Sequence, residues 1–239
     1  MMKELYLVYD GETCNTPRDE RGQLDLTSGQ AYDSGWQIVD NEGNVYCERS
    51  FVNSDVFYDM PQAMQEAYFS DKIPQYEQDI REGKRIVRNT WGIWRQLRQD
   101  CEDYKVKAII AHNARFDVRT MNTTMRYQTK SKRRYFFPYG LPVWDTMKMA
   151  ADTICKRADY VAFCEENGYM TKHKVPQVRK TAEILWRFLT GDNDFTESHT
   201  GLEDVEIEAQ IFAACVRMHK AMERNAELEP DDIEQRWTL

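Results

Sequence analysis

The sequence contains no apolar run of the roughly 18 residues that a membrane-spanning helix needs. A short apolar stretch, residues 5–9, lies near the start, but Asp10 interrupts it before it reaches the length of a signal-peptide core. We therefore expect a cytoplasmic protein with no membrane partner.

Closely spaced cysteines are also missing. The six cysteines are scattered along the chain and include no C-x-x-C pair, which argues against a cysteine zinc site and against a disulfide framework. Glycine and proline are scarce, with 11 and 7 residues, and 41% of the chain is hydrophobic. Such a composition excludes a disordered chain and indicates one folded domain.

The chain has no surplus of positive charge. Its 32 Lys and Arg face 40 Asp and Glu, so the net charge is −8. This balance argues against a protein that binds nucleic acid mainly through bulk positive charge. It is compatible with an enzyme that gathers carboxylates around a divalent metal ion.

Hydrophobic periodicity predicts strands first and then an alternation of strands and helices. The predicted strands are residues 5–9, 31–40, 45–53, 107–111 and 141–144, the first three forming an antiparallel meander with a turn at residues 41–44. The predicted helices cover much of 61–105, including 86–101, and then residues 114–127, 147–155, 181–189 and 202–224. This order indicates an α/β fold in which helices pack on a mixed sheet.

Two carboxylates follow the first buried strand. Asp10 and Glu12 are separated by one residue, so strand geometry points both side chains to the same side. Neighbouring carboxylates repel each other unless a cation neutralises them, and hard oxygen ligands suit Mg²⁺ or Mn²⁺. A polar turn in an acidic chain is the alternative explanation.

Three further residues at strand and helix ends are candidates for the same site as Asp10 and Glu12. Asp117 follows the strand 107–111, where a helix cap is the alternative role. His199 and Asp204 form an H-x4-D pattern at the head of the longest predicted helix.

In order and context these residues resemble the DEDDh 3′–5′ exonucleases, the DnaQ-like group of the ribonuclease H-like superfamily. The resemblance is carried by the segments DGET (10–13), HNARFD (112–117) and HTGLED (199–204), with Asp145-Thr146 as a supporting match. The sister DEDDy group has tyrosine four residues before its last aspartate, where this chain has Thr200. One departure is Glu203, which stands where a small residue is frequent.

The resemblance implies a ribonuclease H-like five-stranded mixed sheet with helices on both faces. It would span residues 1–226, with insertions at about 61–105, 126–140 and 156–180, before a polar acidic tail at 227–239. It also implies a two-metal phosphodiesterase with two Mg²⁺ or Mn²⁺ ions. Asp10, Glu12, Asp117 and Asp204 would be the metal ligands and His199 the general base.

Substrate contacts are predicted at two places. Thr13 and Asn113 flank the carboxylates and would contact the terminal nucleotide, as the resemblance implies. The basic run at 126–137 includes Lys132, Arg133 and Arg134 with interleaved aromatics, a composition that suits single-stranded nucleic acid. A structural insertion loop explains this run equally well.

The predicted activity is 3′–5′ exonucleolytic release of nucleoside 5′-monophosphates from single-stranded DNA, with proofreading beside a DNA polymerase or replication complex as the predicted role. An RNA-directed or short-oligonucleotide exonuclease of the same group is the main competing hypothesis. An internally cutting ribonuclease H-like nuclease and a non-catalytic interaction module are two further hypotheses.

Overall fold

The computed structural model describes residues 3–14, 29–224 and 236–239. The strands are β1 (Leu5–Asp10), β2 (Thr13–Cys14), β3 (Gln30–Ala31), β4 (Asp33–Asp40), β5 (Val45–Asn53), β6 (Ile86–Arg88), β7 (Ala108–Ala111) and β8 (Val143–Asp145). The helices are α1 (Ser54–Phe57), α2 (Pro61–Gln65), α3 (Ile73–Arg81), α4 (Thr90–Asp103), α5 (Arg115–Thr129), α6 (Thr146–Asp152), α7 (Ala158–Glu166), α8 (Ala182–Thr190) and α9 (Gly201–Arg224). Two short 3₁₀ turns cover Ser70–Lys72 and Ile154–Lys156.

The main sheet has the strand order β6-β5-β4-β1-β7-β8. Strand β4 pairs antiparallel with β1 and β5, whereas β1–β7, β7–β8 and β5–β6 are parallel pairs. The predicted meander and the predicted mixed α/β class are therefore confirmed. A separate two-stranded ladder, β2–β3, continues the chain beyond β1.

The sheet has six strands, one more than the resemblance implies, because the prediction of a helix starting at residue 86 was wrong. Residues Ile86–Arg88 form the edge strand β6 instead, and helix α4 starts only at Thr90. The side chain of Asn89 caps that helix by accepting a hydrogen bond from the Gly92 amide at 2.8 Å. Apolar spacing alone did not separate a three-residue strand from the helix that follows it.

Alternate residues of the central strands supply two cores, one on each face of the sheet. Tyr6 and Val8 of β1 pack with α6, α8 and α9, whereas Leu7 and Tyr9 pack with α4 and α5. Both cores are buried, so helices cover both faces, as predicted. A third cluster lies around Tyr32, Phe57 and Tyr76 and joins α1–α3 to the sheet.

Helix α9 begins against the strand pair that carries Asp10. Asp10 lies opposite Gly35 in the β1–β4 register, and a side-chain carbon on Gly35 would lie 2.4 Å from the Leu202 amide nitrogen. Only glycine therefore permits this approach, which brings the start of α9 to the end of β1.

Only residues 236–239 of the predicted acidic tail are among those described. Trp237 is buried against Trp144 with ring centroids 5.9 Å apart, and Thr238 forms a bridge to Trp144. Among the described residues, no helix combines the length and hydrophobicity that crossing a membrane requires.

Candidate active site

A cavity of about 740 Å³ opens at the ends of β1 and β7, where the chain leaves the sheet. The head of α9 and the segment before α8 complete its wall. The polar lining residues that matter here are Asp10, Glu12, Thr13, His112, Asn113, Glu197, His199, Asp204 and Glu208. The cavity thus collects side chains from distant parts of the sequence at one edge of the sheet.

Asp10 and Asp117 form the base of the site. Asp117 lies in the first turn of α5 and is 3% exposed, and burial raises the pKa of its carboxyl well above its usual range, against the opposing effect of the Gly11 amide. Burial and the neighbouring charges of Glu208 and Asp117 raise the pKa of the Asp10 carboxyl well above its usual range. Asp117 does not itself line the cavity, but its charge acts directly on Asp10.

The head of α9 holds the last aspartate. Asp204 accepts hydrogen bonds from the Ser198 hydroxyl and the Thr200 amide, both at 3.2 Å. These bonds fix its carboxylate at the cavity wall, although burial still raises its pKa to about 6. The preceding turn depends on His199, whose φ of 52° lies in the sparsely populated left-handed region.

Glu12, His199 and Asp204 are close enough to share one ion, since their ligand atoms all lie within 4.8 Å of one another. Burial and the charge of Asp204 raise the pKa of Glu12 to about 8. In the described part of the chain, no ion pair includes any of the five clustered acids, Asp10, Glu12, Asp117, Asp204 and Glu208. A buried group of carboxylates without a paired cation fits divalent metal ions with oxygen ligands.

Two acids of the site were missed by the sequence analysis. Glu208 is 4% exposed, accepts a hydrogen bond from the His112 amide at 3.3 Å, and is the strongest charged neighbour of Asp10. Glu197 lines the cavity, and burial with the charge of Asp204 raises its pKa to about 7. Glu208 was detectable, because it lies one helical turn after Asp204 on the same face of α9.

A third missed feature is an aromatic ring on His199. Phe69 stacks on the imidazole with ring centroids 4.3 Å apart and an interplanar angle of 16°. Burial and the nearby charge of Lys72 lower the pKa of His199, so the neutral imidazole is favoured near neutral pH. Phe69 and Lys72 belong to the predicted insertion at 61–105. Nothing in the sequence of that insertion indicated a contact with His199.

The structure explains why a glutamate, Glu203, stands where the family pattern frequently has a small residue. Its carboxylate accepts two hydrogen bonds from the Arg85 guanidinium at 2.8 and 2.9 Å, and Arg85 also pairs with Asp33 at 3.2 Å. Asp33 accepts in turn from the Gly201 amide at 2.8 Å and from the Tyr76 hydroxyl at 2.6 Å. This network of hydrogen bonds and ion pairs therefore connects the predicted insertion at 61–105 to the start of α9.

His112 has a supporting role in the wall. One ring nitrogen lies 2.8 Å from the Thr146 hydroxyl oxygen and the other 2.7 Å from the Lys180 carbonyl oxygen. Asp145 caps helix α6 through the Met147 amide and also accepts from the Asn113 amide at 3.1 Å. These contacts join the loop after β7 to two neighbouring segments.

The predicted substrate contacts fall into two groups. Thr13 and Asn113 line the cavity. Lys132 and Arg134 instead lie around a separate cavity after α5, and the Arg133 guanidinium lies 4.6 Å above the Trp94 ring. The structure therefore does not bring these three cations into the wall of the carboxylate cavity.

No family model matches the sequence, and no curated protein sequence matches it. Three of the solved structures that are similar in fold are each 11% identical to this chain. The nuclease domain of 3′hExo, a DEDDh family member bound to rAMP, has a TM-score of 0.56, with 92% of this chain and 93% of that chain covered. E. coli exonuclease I in complex with a dA16 oligonucleotide has a TM-score of 0.54, with 98% of this chain but only 45% of that chain covered.

The third is a 3′-exonuclease whose structure concerns 3′-end recognition of a histone mRNA stem-loop. Its TM-score is 0.54, and the match covers 92% of this chain and 84% of that one. These similarities confirm the fold that the resemblance implies, and identities this low establish the fold alone.

Proposed function

We propose that this chain, which has the ribonuclease H-like fold of the DEDDh 3′-exonucleases, is a metal-dependent 3′–5′ exonuclease that releases nucleoside 5′-monophosphates from single-stranded ends. The observation that carries the proposal is the convergence of four separated acids and one histidine. Asp10 and Glu12 come from the start of the chain, and His199 and Asp204 from its last quarter, yet all four line one cavity, and the buried Asp117 is close enough for its charge to act on Asp10.

Asp10, Glu12, Asp117 and Asp204 would hold two Mg²⁺ or Mn²⁺ ions. Such ions lower the pKa of a bound water and stabilise the charge that develops on the departing 3′-oxygen. The four carboxylates would carry a charge of −4 when ionised, which two divalent cations would balance. Thr13 and Asn113 would position the terminal nucleotide from the same wall.

His199 would accept the proton of the attacking water. Its imidazole lies beside Glu12 and Asp204, and burial keeps the pKa of the ring below its ordinary value. A neutral ring nitrogen is available to accept a proton at pH 7, which is the requirement for a general base.

A time course on 5′-labelled single strands tests the activity. With Mg²⁺ or Mn²⁺ we expect a ladder shortened from the 3′ end, and with EDTA an intact substrate. Asp10→Asn should reduce the rate by several orders of magnitude, because it removes a charged ligand from the centre of the site.

The control for folding is the melting temperature of the Asp10→Asn protein, which should not fall. A wild-type rate in this variant would exclude Asp10 from the ligand set. Cleavage of a circular single strand would favour the internally cutting nuclease, and the absence of any cleavage would favour the non-catalytic module.

The same assay on matched DNA and RNA strands measures which sugar the protein prefers. The similar structures contain a DNA oligonucleotide in one case and rAMP in another. We propose single-stranded DNA as the preferred substrate, with the short-oligonucleotide or RNA-directed activity as the alternative. A higher kcat/KM on the RNA strand would reverse this order.

A proofreading role beside a polymerase is a finer proposal. It requires that a mismatched primer end be removed faster than a matched one, because a frayed end supplies the single strand. Equal rates on the two primers would count against it.

Contacts of Lys132, Arg133 and Arg134 with the substrate also remain a prediction. Joint replacement of these three residues by alanine should raise KM on long strands only.

A further inference from the structure

A second basic segment lies beside the cavity, at residues 169–181. This segment, which we call the basic hairpin, carries Lys172, Lys174, Arg179 and Lys180 and contains no aspartate or glutamate. Four cations in a stretch of thirteen residues contrast with a chain whose net charge is −8.

The hairpin is an ordered structure with a backbone ladder. The Arg179 amide donates to the Tyr169 carbonyl at 3.0 Å, the Thr171 amide donates to the Gln177 carbonyl at 2.8 Å, and Met170 and Val178 form a bridge. The Tyr160 hydroxyl holds the returning strand by donating to the Arg179 carbonyl at 2.6 Å.

The base of the hairpin is part of the cavity wall. Thr181 and Ala182, at its end, line the cavity, and the Lys180 carbonyl oxygen lies 2.7 Å from a ring nitrogen of His112. From Lys180 to Lys174 an extended chain reaches at most about 20 Å. Lys174 therefore lies within about 20 Å of Lys180, a distance that a strand of a few nucleotides can span.

In the part of the chain that the structure describes, no carboxylate pairs with the cations of the hairpin. Lys172, Lys174 and Arg179 are exposed. Some other surface cations do have partners, for example Lys84 with Glu82 at 2.7 Å. Exposed, unpaired cations beside a phosphodiesterase cavity are suited to bind phosphates.

We propose that the basic hairpin binds the phosphate backbone of a single-stranded polynucleotide, upstream of the nucleotide held in the cavity. The inference rests on the proposed function and adds to it the path of the substrate. The outer part of the hairpin, residues 172–178, contains no phenylalanine, tyrosine or tryptophan on which a base could stack. His173 is the one aromatic ring in this part, so its two lysines make contacts with phosphates the main expectation there.

The test compares two variants that remove the same number of charges. Lys172→Ala combined with Lys174→Ala removes two exposed cations of the hairpin. Arg95→Ala combined with Arg217→Ala is the matched control, because both residues are exposed and line none of the cavities described. Binding of 5′-fluorescein-labelled dT20 is followed by anisotropy with Ca²⁺ in place of Mg²⁺, and turnover of dT20 and of dT3 is measured with Mg²⁺.

For the hairpin variant we expect affinity for dT20 to fall roughly tenfold at 0.1 M salt, and the slope of log K against log salt to decrease by about 1.4. Turnover of dT3 should stay within twofold of wild type, because the proposal places the outer cations on the strand upstream of the nucleotide held in the cavity. The control should match wild type in all assays.

Three results of the variant and competition assays would overturn the proposal: equal affinities of the two variants for dT20, a parallel loss on dT3, or equal competition by poly-L-glutamate. Wild-type protein that binds dT20 but cleaves neither substrate would refute the proposed function and leave the binding result intact. Wild-type protein that does not bind dT20 would refute the hairpin proposal itself.

Discussion

The ring of Phe69 stacks on that of His199, with ring centroids 4.3 Å apart and an interplanar angle of 16°. A stacked pair of rings 4.3 Å apart restricts rotation of both side chains. Because His199 also has an unfavourable positive φ, its position depends on the surrounding contacts. At the scale of single residues, Phe69 is therefore a positioning residue for the proposed base.

Phe69→Leu should lower kcat about tenfold with little change in KM, because the side chain stays apolar but no longer holds the ring. His199→Ala should lose roughly 10²–10⁴-fold, the range for removal of a general base. In the His199→Ala background, Phe69→Leu should add nothing.

Phe69→Tyr, which keeps the ring, is the matched control and should retain kcat. The upfield shift that the Phe69 ring imposes on the His199 ring protons, measured by NMR, should disappear only in Phe69→Leu. A loss in kcat that is the same with and without His199 would mean that Phe69 acts elsewhere.

At the scale of elements, one buried arginine connects the segment α3–β6 to helix α9. Arg85 is 3% exposed and contacts three carboxylates, those of Asp33, Asp79 and Glu203. Removing one member of a buried ionic network leaves uncompensated charges, at a cost of about 3–5 kcal/mol.

Arg85→Met should therefore lower the melting temperature by on the order of 10 °C. Lys84→Ala is the matched control, because the neighbouring Lys84 is exposed and its pair with Glu82 is worth little. A thermal scan that finds Arg85→Met as stable as Lys84→Ala would refute the structural role of the network.

At the scale of the whole molecule, we expect the clustered acids to make stability depend on pH and, if the proposed function holds, on metal. Burial and mutual repulsion raise the pKa of Glu12 to about 8 and that of Glu197 to about 7. An acid with a raised pKa in the folded state binds more protons there than in the unfolded chain. Stability therefore falls as pH rises towards the folded pKa.

The metal-free protein should accordingly lose stability between pH 6.5 and 8, by on the order of 1 kcal/mol for each group that ionises. His199 and His112 do not cancel this effect, because burial lowers their pKa values and their contribution lies below pH 6.5. Mg²⁺ should raise the melting temperature more at pH 8 than at pH 6.5, because the ligands bind metal once deprotonated.

Thermal scans at the two pH values, with EDTA and with Mg²⁺, measure both effects. Glu208→Gln is the variant to compare, because it removes one buried charge and should flatten the pH dependence in EDTA. A melting temperature that rises from pH 6.5 to 8 in EDTA would contradict the prediction.

Local patterns determined much of this protein in advance. The apolar stretch before Asp10, the turn at residues 41–44 and the periodicity of residues 202–224 predicted elements that the structure contains. The spacing of Asp10 with Glu12, and of His199 with Asp204, pointed to side chains that the structure brings to one cavity. These features are readable because they depend on neighbours within one strand or one helical turn.

Contacts between distant segments were determined by the tertiary structure alone. Glu203 and Arg85 are 118 positions apart, and Phe69 meets His199 across a similar distance. The basic segment whose end, Thr181, lines the cavity is the hairpin at 169–181, whereas charge density along the sequence had pointed to the run at 126–137. Such contacts follow from how the loops pack on the sheet, and no periodicity within a segment records where that packing places its side chains.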